Sequence, residues 1–303
     1  MVHNVRARAA LGTTAPWKDV LVDGVRVAFD DEGSGPALVC LHAIGHGAAD
    51  FARVRARFHG RHRILALDWP GHGNSSPDRV PTSAARYADL LAGFLDAAEV
   101  EHPILLGNSI GGAAAIRHAA AFPERVRALI LENPGGLATT DHLLARAVLA
   151  GMARFFASGA RGAWWFPRAF ALYYRTCVLQ RRPARAQREL IVRAASELAP
   201  VLHDAWRSFA LPDADLRALA PRITCPVLFA WATRDQFVQL RPSLAAIRRF
   251  PRAQLEKFPA AHAAHLETPD AFEAALERFM TELRADHPAA PALRAGQRAL
   301  TGR

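Results

Sequence analysis

The sequence predicts an α/β protein built on a mostly parallel, eight-stranded sheet, and three observations carry that expectation. Short apolar runs without polar alternation recur along the chain, as strands buried on both faces of a parallel sheet require. Segments with helical spacing of apolar residues separate them. A block from about Gly136 to Asp215 interrupts the alternation with helical patterns and no strand, which reads as an insertion sitting above the sheet as a helical cap.

VLVDGVRVAFDD (20–31) contains two strand-like runs joined at Asp23-Gly24, a dipeptide suited to a tight hairpin. ALVCLHA (37–43), RILALDWP (63–70), PILLGNS (103–109), VRALILEN (126–133) and PVLFAWA (226–232) are the buried-strand runs, and AQLEKF (253–258) is a weaker last one. Helical segments are expected at 50–58, 83–98, 111–122, 240–250 and 269–283. The resulting organisation is a core of 18–135 and 216–284, a cap of 136–215, an N-terminal extension of 1–17 and a disordered tail of 285–303, the last rich in Ala, Pro and Arg.

Composition narrows the function classes. The 303 residues are 51% hydrophobic and 22% charged, enough for a large core. The formal charge of +10 is almost all arginine, with lysine only at Lys18 and Lys257. No basic patch with interleaved aromatics and no recognised module points to nucleic acid, so none is expected as a partner. The apolar run AVLAGMARFFA (147–157) is interrupted by Gly and Arg and falls short of a span. The N-terminus lacks the apolar stretch of a secretory signal, and Cys40, Cys177 and Cys225 have no metal-ligand spacing. A cytoplasmic monomer or homodimer with a small-molecule substrate, no membrane partner and no metal, nucleotide or flavin is expected.

The stretch that carries chemistry is LLGNSIGG (105–112). G-x-S-x-G alone is a weak signal, but here a buried strand runs into Ser109 and then into a helix, the context of a nucleophile on a sharp strand-to-helix turn. A serine hydroxyl needs a base, and the base needs an acid to hold its tautomer. Later strands supply both types: FAWATRDQF places Asp235 beyond one strand end, and AQLEKFPAAHAAHLETPDAF places His262 and His265 beyond the next. Glu132, at another strand end, competes with Asp235 for the role of acid.

Together LVCLHAIGHG, ALDWPGHGNSSP, LLGNSIGG, ATRDQF and AAHAAHLETPDAF resemble the α/β-hydrolase superfamily over residues 20–283. The resemblance implies the α/β-hydrolase fold, with Ser109 as nucleophile, Asp235 as acid and His262 as base, Glu267 and Pro269 following His262 as family markers. It makes His265 the runner-up base and Asp68 a turn-shaping residue. It also implies an oxyanion hole from the backbone N–H groups of Ile110 and Ile44, with Ala43 standing where the family pattern has Gly.

Serine at the nucleophile position argues against alkyl-transfer members of the superfamily and leaves addition to a carbonyl. An ester or lactone with an apolar part is the first expectation. Asn108 before the nucleophile and the H-A-I-G-H-G spacing are similar to the meta-cleavage-product hydrolases, which makes carbon-carbon bond hydrolysis the alternative. Cofactor-free perhydrolase chemistry and a receptor role without turnover are further alternatives. Candidate pocket residues are His42, Asn108 and, from the aromatic stretch AWWFPRAFALYYR, Trp164 and Trp165. RRPARAQR (181–188) is a solvated helix start or, alternatively, a contact for a substrate carboxylate.

Overall fold

The computed structural model describes residues 17–139 and 142–286. The expected extension, apart from Trp17, and the expected tail from residue 287 onward lie outside the described residues. The chain begins with the expected hairpin: β1 (Lys18–Val22) and β2 (Val25–Glu32) pair antiparallel around Asp23 and Gly24, both at positive φ, 46° and 78°. Such a turn matches the twist of the strands it joins.

β3 (Ala37–Leu41), β4 (Arg63–Leu67), β5 (Ile104–Asn108), β6 (Ala128–Glu132), β7 (Val227–Ala232) and β8 (Ala253–Phe258) complete one sheet in the order β1-β2-β4-β3-β5-β6-β7-β8. β2 pairs antiparallel with β4, and every pairing from β4 onward is parallel. Alternate residues of the central strands feed two separate cores. Val39, Leu41, Leu65, Leu105, Leu129 and Phe229 point into one, and Leu38, Cys40, Ile64, Ile104, Ile130 and Leu228 into the other. Period-two exposure to two apolar layers is why these strands read as unbroken hydrophobic runs. β8 is an edge strand with most residues exposed, which explains its weaker pattern.

Besides a single helical turn at Ala264–Glu267 and short 3-10 turns, the helices described outside the insertion are α1 (Ala52–Phe58), α2 (Ala84–Ala97), α3 (Ile110–Ala121), α8 (Leu240–Ile247) and α9 (Pro269–Asp286). Phe58 of α1 and Phe272 and Phe279 of α9 fill one core, while Leu91 and Phe94 of α2, Ile116 of α3 and Ile247 of α8 fill the other. Ser83 starts α2 by accepting the Arg86 amide at 3.0 Å, a cap worth about 1 kcal/mol. α9 continues to Asp286, into the stretch expected to be tail.

Between β6 and β7 lie α4 (Leu143–Ala160), α5 (Phe166–Tyr173), α6 (Arg185–Arg193) and α7 (Ala195–Ser208), with a π-helical turn at Tyr174–Val178. The described residues of this block hold no strand. α4 and α7 pack together through Phe156 and Trp206, whose rings stack 6.1 Å apart. α4 departs from the sequence expectation: it is 18 residues long and, by length and composition, apolar enough to cross a membrane.

Candidate active site

β3 lies between β4 and β5, so the chain leaves it in opposite directions on its two sides. In open α/β sheets such a reversal opens a crevice at the carboxyl ends of the strands. The loop after β3 carries Ile44, and the turn after β5 carries Ser109.

Ser109 is the single residue between β5 and α3, with φ 54° and ψ −116°, a backbone costing about 1–3 kcal/mol for a residue with a side chain. Its N–H donates to the Glu132 carbonyl at 2.9 Å and its carbonyl accepts from Ala113 N–H at 3.0 Å, which hold the turn. The glycines of the motif are there for space. A Cβ on Gly111 would stand 2.3 Å from the Leu41 carbonyl oxygen, and one on Gly107 would stand 2.6 Å from Gly112 N.

The loop after β8 is brought to this turn by Asn108, whose Nδ2 donates to the backbone carbonyls of Glu132 and His262, each at 3.1 Å. His262 Nδ1 lies 2.6 Å from Asp235 Oδ2. That oxygen also accepts Asn133 Nδ2 at 2.8 Å, while Oδ1 accepts the amides of Phe237 and Val238, both at 2.9 Å. With every acceptor site on Asp235 directed, Nδ1 of His262 is the donor and Nε2 carries the lone pair. Burial works to lower the His262 pKa, but the Asp235 charge and hydrogen bond, helped by Glu132 and Glu267, outweigh it and hold the imidazole above its ordinary value.

The runner-up histidine and the competing acid form a second pair. His265 Nδ1 lies 2.6 Å from Glu132 Oε2, and the His265 amide donates to Glu132 Oε1 at 2.9 Å. Both side chains are buried, with His265 stacked on Phe51 at 4.9 Å. The His265 Nε2 is 3.9 Å from Asp50 Oδ2, and Asp50 in turn meets His46 Nδ1 at 2.6 Å and the Gln187 amide. Burial opposes protonation of His265, yet Glu132 and Asp50 together raise its pKa.

The β3 loop is built on neutral histidines. His42 accepts the Trp69 amide on Nε2 at 2.9 Å and donates from Nδ1 to the Ala43 carbonyl at 2.7 Å. His72 accepts the Gly45 amide on Nε2 at 2.9 Å and donates to the Pro70 carbonyl at 2.9 Å. Burial keeps both uncharged, His42 well below its ordinary pKa and His72 at about 4. The loop they shape carries Ile44, and Ile110 opens α3 directly after Ser109. Ala43 is not among the residues with positive φ, so the exchange of Gly for Ala demands no left-handed backbone. Asp68 accepts the amides of Ala48 and Asn74 at 2.9 and 2.8 Å and shapes the following turn.

The inserted helices rest on these loops. A Cβ on Gly45 would stand 2.7 Å from the Tyr174 hydroxyl and 3.3 Å from Leu202 Cδ2, one on Gly71 would stand 2.7 Å from Val201 Cγ1, and the Val178 carbonyl accepts the His262 amide at 3.2 Å. Glu267, fully buried, ties the two parts together: Oε1 accepts the amides of Gln180 and Arg181 at 2.6 Å and Oε2 that of Ala261 at 2.5 Å.

Three expected pocket residues are placed otherwise. Trp164 is 83% exposed and cannot wall an enclosed pocket. Trp165 is also exposed and packs its ring on Phe155, 6.1 Å away. His42 is wholly buried with both ring nitrogens taken by backbone, so it shapes the loop instead of touching a substrate. Asn108 is a buried brace between loops. From RRPARAQR, Arg181 and Arg188 donate to the Pro259 and Leu179 carbonyls and Arg185 pairs with Glu189. Sequence reasoning did not single out Asn133 or His72. The signal for Asn133 was its type: it sits at φ 41°, a left-handed backbone that Asn tolerates, directly after β6.

An open cleft of about 890 Å³ lies elsewhere, lined by Pro36, His102, Val126 and Pro226. These residues precede strands, so the cleft is at the opposite edge of the sheet from Ser109, and no histidine–carboxylate pair lines it. Among the described residues no group of three His, Cys, Asp or Glu side chains is arranged to hold a metal ion.

Comparison with known proteins agrees with this fold. The chain is 29% identical over 288 residues to an uncharacterized protein of Mycobacterium tuberculosis, covering 86% of this chain and 79% of that one. It is 28% identical over 269 residues to the 2-hydroxy-6-oxo-6-phenylhexa-2,4-dienoate hydrolase of Burkholderia cepacia, covering 82% of this chain and 88% of that enzyme. A thermophilic esterase from Thermogutta terrifontis superposes with a TM-score of 0.73 at 21% identity, covering 89% of this chain and 99% of the esterase. Residues 36–269 match the family model described as the alpha/beta hydrolase fold, and the chain belongs to that family.

Proposed function

We propose that the protein is a serine hydrolase of carbonyl compounds, acting on a carboxylic ester or lactone with an apolar part. The observation that carries this reading is the 2.6 Å contact of His262 with Asp235, in a loop that Asn108 ties to the Ser109 turn. In the proposed reaction His262 Nε2 takes the Ser109 proton as Oγ attacks the carbonyl carbon. Asp235 holds the tautomer and stabilises the imidazolium. The Ile44 and Ile110 amides receive the developing oxyanion, and His262 then delivers its proton to the leaving alkoxide. Water repeats the sequence on the acyl-enzyme and releases the acid. The inserted helices serve as a cap, with Tyr174 and Leu202 over the oxyanion loop supplying apolar surface.

Carbon-carbon bond hydrolysis is the second reading. It is favoured by Asn108 before the nucleophile and by the similarity to the Burkholderia cepacia dienoate hydrolase. The two share the serine and the proton shuttle and differ in the bond cleaved.

Labelling with a fluorophosphonate probe, followed by peptide mapping beside Ser109→Ala, tests the nucleophile. Adduct confined to Ser109 is expected. A folded protein that takes no label removes the hydrolase reading and favours binding without turnover. A panel of p-nitrophenyl esters and dienol ketones then separates the two reactions.

A further inference from the structure

α4 is apolar, yet only Leu149, Ala153, Phe156 and Gly159 of its 18 residues are buried. Part of its exposed surface is also apolar, beside the exposed Arg146 and Arg154. Leu144 is 72% and Val148 43% exposed, with Leu143 beside them at 85%. Helical spacing continues that stripe through Met152 to Phe155, both half-buried. The Phe155 ring meets Trp165, next to the outward-facing Trp164, and Leu172 follows one stripe further along α5 at 52% exposure. The result is a largely apolar band on one side of α4 and the turn after it, which none of the described residues covers. Apolar bands of this kind mark interaction surfaces.

The charges around the band identify what it meets. On α4 and the turn into α5 the cationic side chains are Arg146, Arg154, Arg161 and Arg168, all exposed, and the sequence has no carboxylate from 142 to 188. A second copy of the same surface would bring two arginine-rich faces together. Leucine and tryptophan on one face with arginine beside them is the composition of a helix that lies in the plane of a membrane interface, its apolar side in the acyl boundary and its cations at anionic headgroups. α4 does not span, because Phe156 packs on Trp206 of α7 and anchors its inner face to the protein. We propose that the outer face of α4 and the Trp164-Trp165 turn form an in-plane docking surface for an anionic lipid bilayer. This replaces the expectation, drawn from the interrupted apolar run, that the protein has no membrane partner. It does not depend on the hydrolase reading, since docking uses no residue of the Ser109 site.

The test is co-flotation of the full chain with vesicles of phosphatidylglycerol and phosphatidylcholine in equal parts, beside vesicles of phosphatidylcholine alone. The protein should float with the anionic vesicles, far less with the neutral ones, and be released as salt screens the arginines. Leu144→Asp combined with Trp164→Ala should cut the bound fraction roughly tenfold. Both side chains are exposed, so circular dichroism should match wild type. Failure of the folded wild type to float overturns the proposal, as does a double variant that floats like wild type. A dimer in sedimentation equilibrium that the double variant dissociates assigns the face to a second copy and overturns it as well.

Discussion

Two histidine–carboxylate pairs have their histidines three residues apart in sequence, and their contrast is the ground for assigning the proposed base. His262 and Asp235 meet at 2.6 Å, as do His265 and Glu132. Contact geometry therefore does not separate them. Their surroundings do. The His262 side chain retains 12% exposure, and its loop is tied to the nucleophile turn through Asn108. His265 retains 1%, is stacked on Phe51, and has its second nitrogen turned toward Asp50. In the proposed reaction the first pair passes a proton to an incoming molecule, whereas the second is enclosed by protein and joins α9's approach to the end of β6.

The sharpest way to break this comparison is to remove each histidine in turn. Ser109→Ala and His262→Ala should each lower kcat by roughly 10⁶-fold in a folded protein, while His265→Ala retains turnover in whatever fraction folds. Steady-state rates normalised to folded protein decide it, and an inactive His265→Ala beside an active His262→Ala would exchange the roles of the pairs. Exchanging the acids is the next largest effect. Asp235→Asn should cost about 10⁴-fold by presenting the wrong tautomer, whereas Glu132→Gln keeps most of the rate and lowers the melting temperature instead. Asn133→Ala, which removes a donor that aims Asp235, should cost up to about 100-fold in kcat with little change in KM.

The pairs also differ in what pH does to them. Turnover requires His262 neutral, and burial is outweighed there by Asp235, so the acid limb of kcat/KM should lie above the ordinary imidazole value of 6.5. In Asp235→Asn, with the largest contributions opposing burial removed and only Glu132 and Glu267 left against it, the limb of the residual rate should move to lower pH. For His265 the readout is stability. Its folded pKa is raised, so its contribution is complete below 6.5 and is lost as pH rises through the folded value. Urea unfolding of wild type and His265→Gln should accordingly differ most just below pH 6.5, and the gap should narrow upward from 6.5. A gap independent of pH would mean that the imidazolium does not contribute.

Much of this molecule was legible in the sequence because local pattern and buried environment coincide. Unbroken runs such as ALVCL and ALILE announce strands covered on both faces, Asp23-Gly24 announces the hairpin, and the glycines around Ser109 announce a turn too tight for side chains. Ser109, Asp235 and His262 stand where chain order after successive strands leads one to look. The order of residues along a chain, however, does not say which acid faces which base. That was decided when β6 and β7 came to lie side by side, so that Asn133 could aim Asp235 at His262 and Glu132 could close on His265. It does not say which side of an apolar segment turns inward either. The aromatic stretch that reads as a pocket wall puts Trp164 in solvent, and α4 hides only one stripe of its apolar side chains. Burial and partner choice are properties of contacts distant in sequence, so only the tertiary structure could assign them.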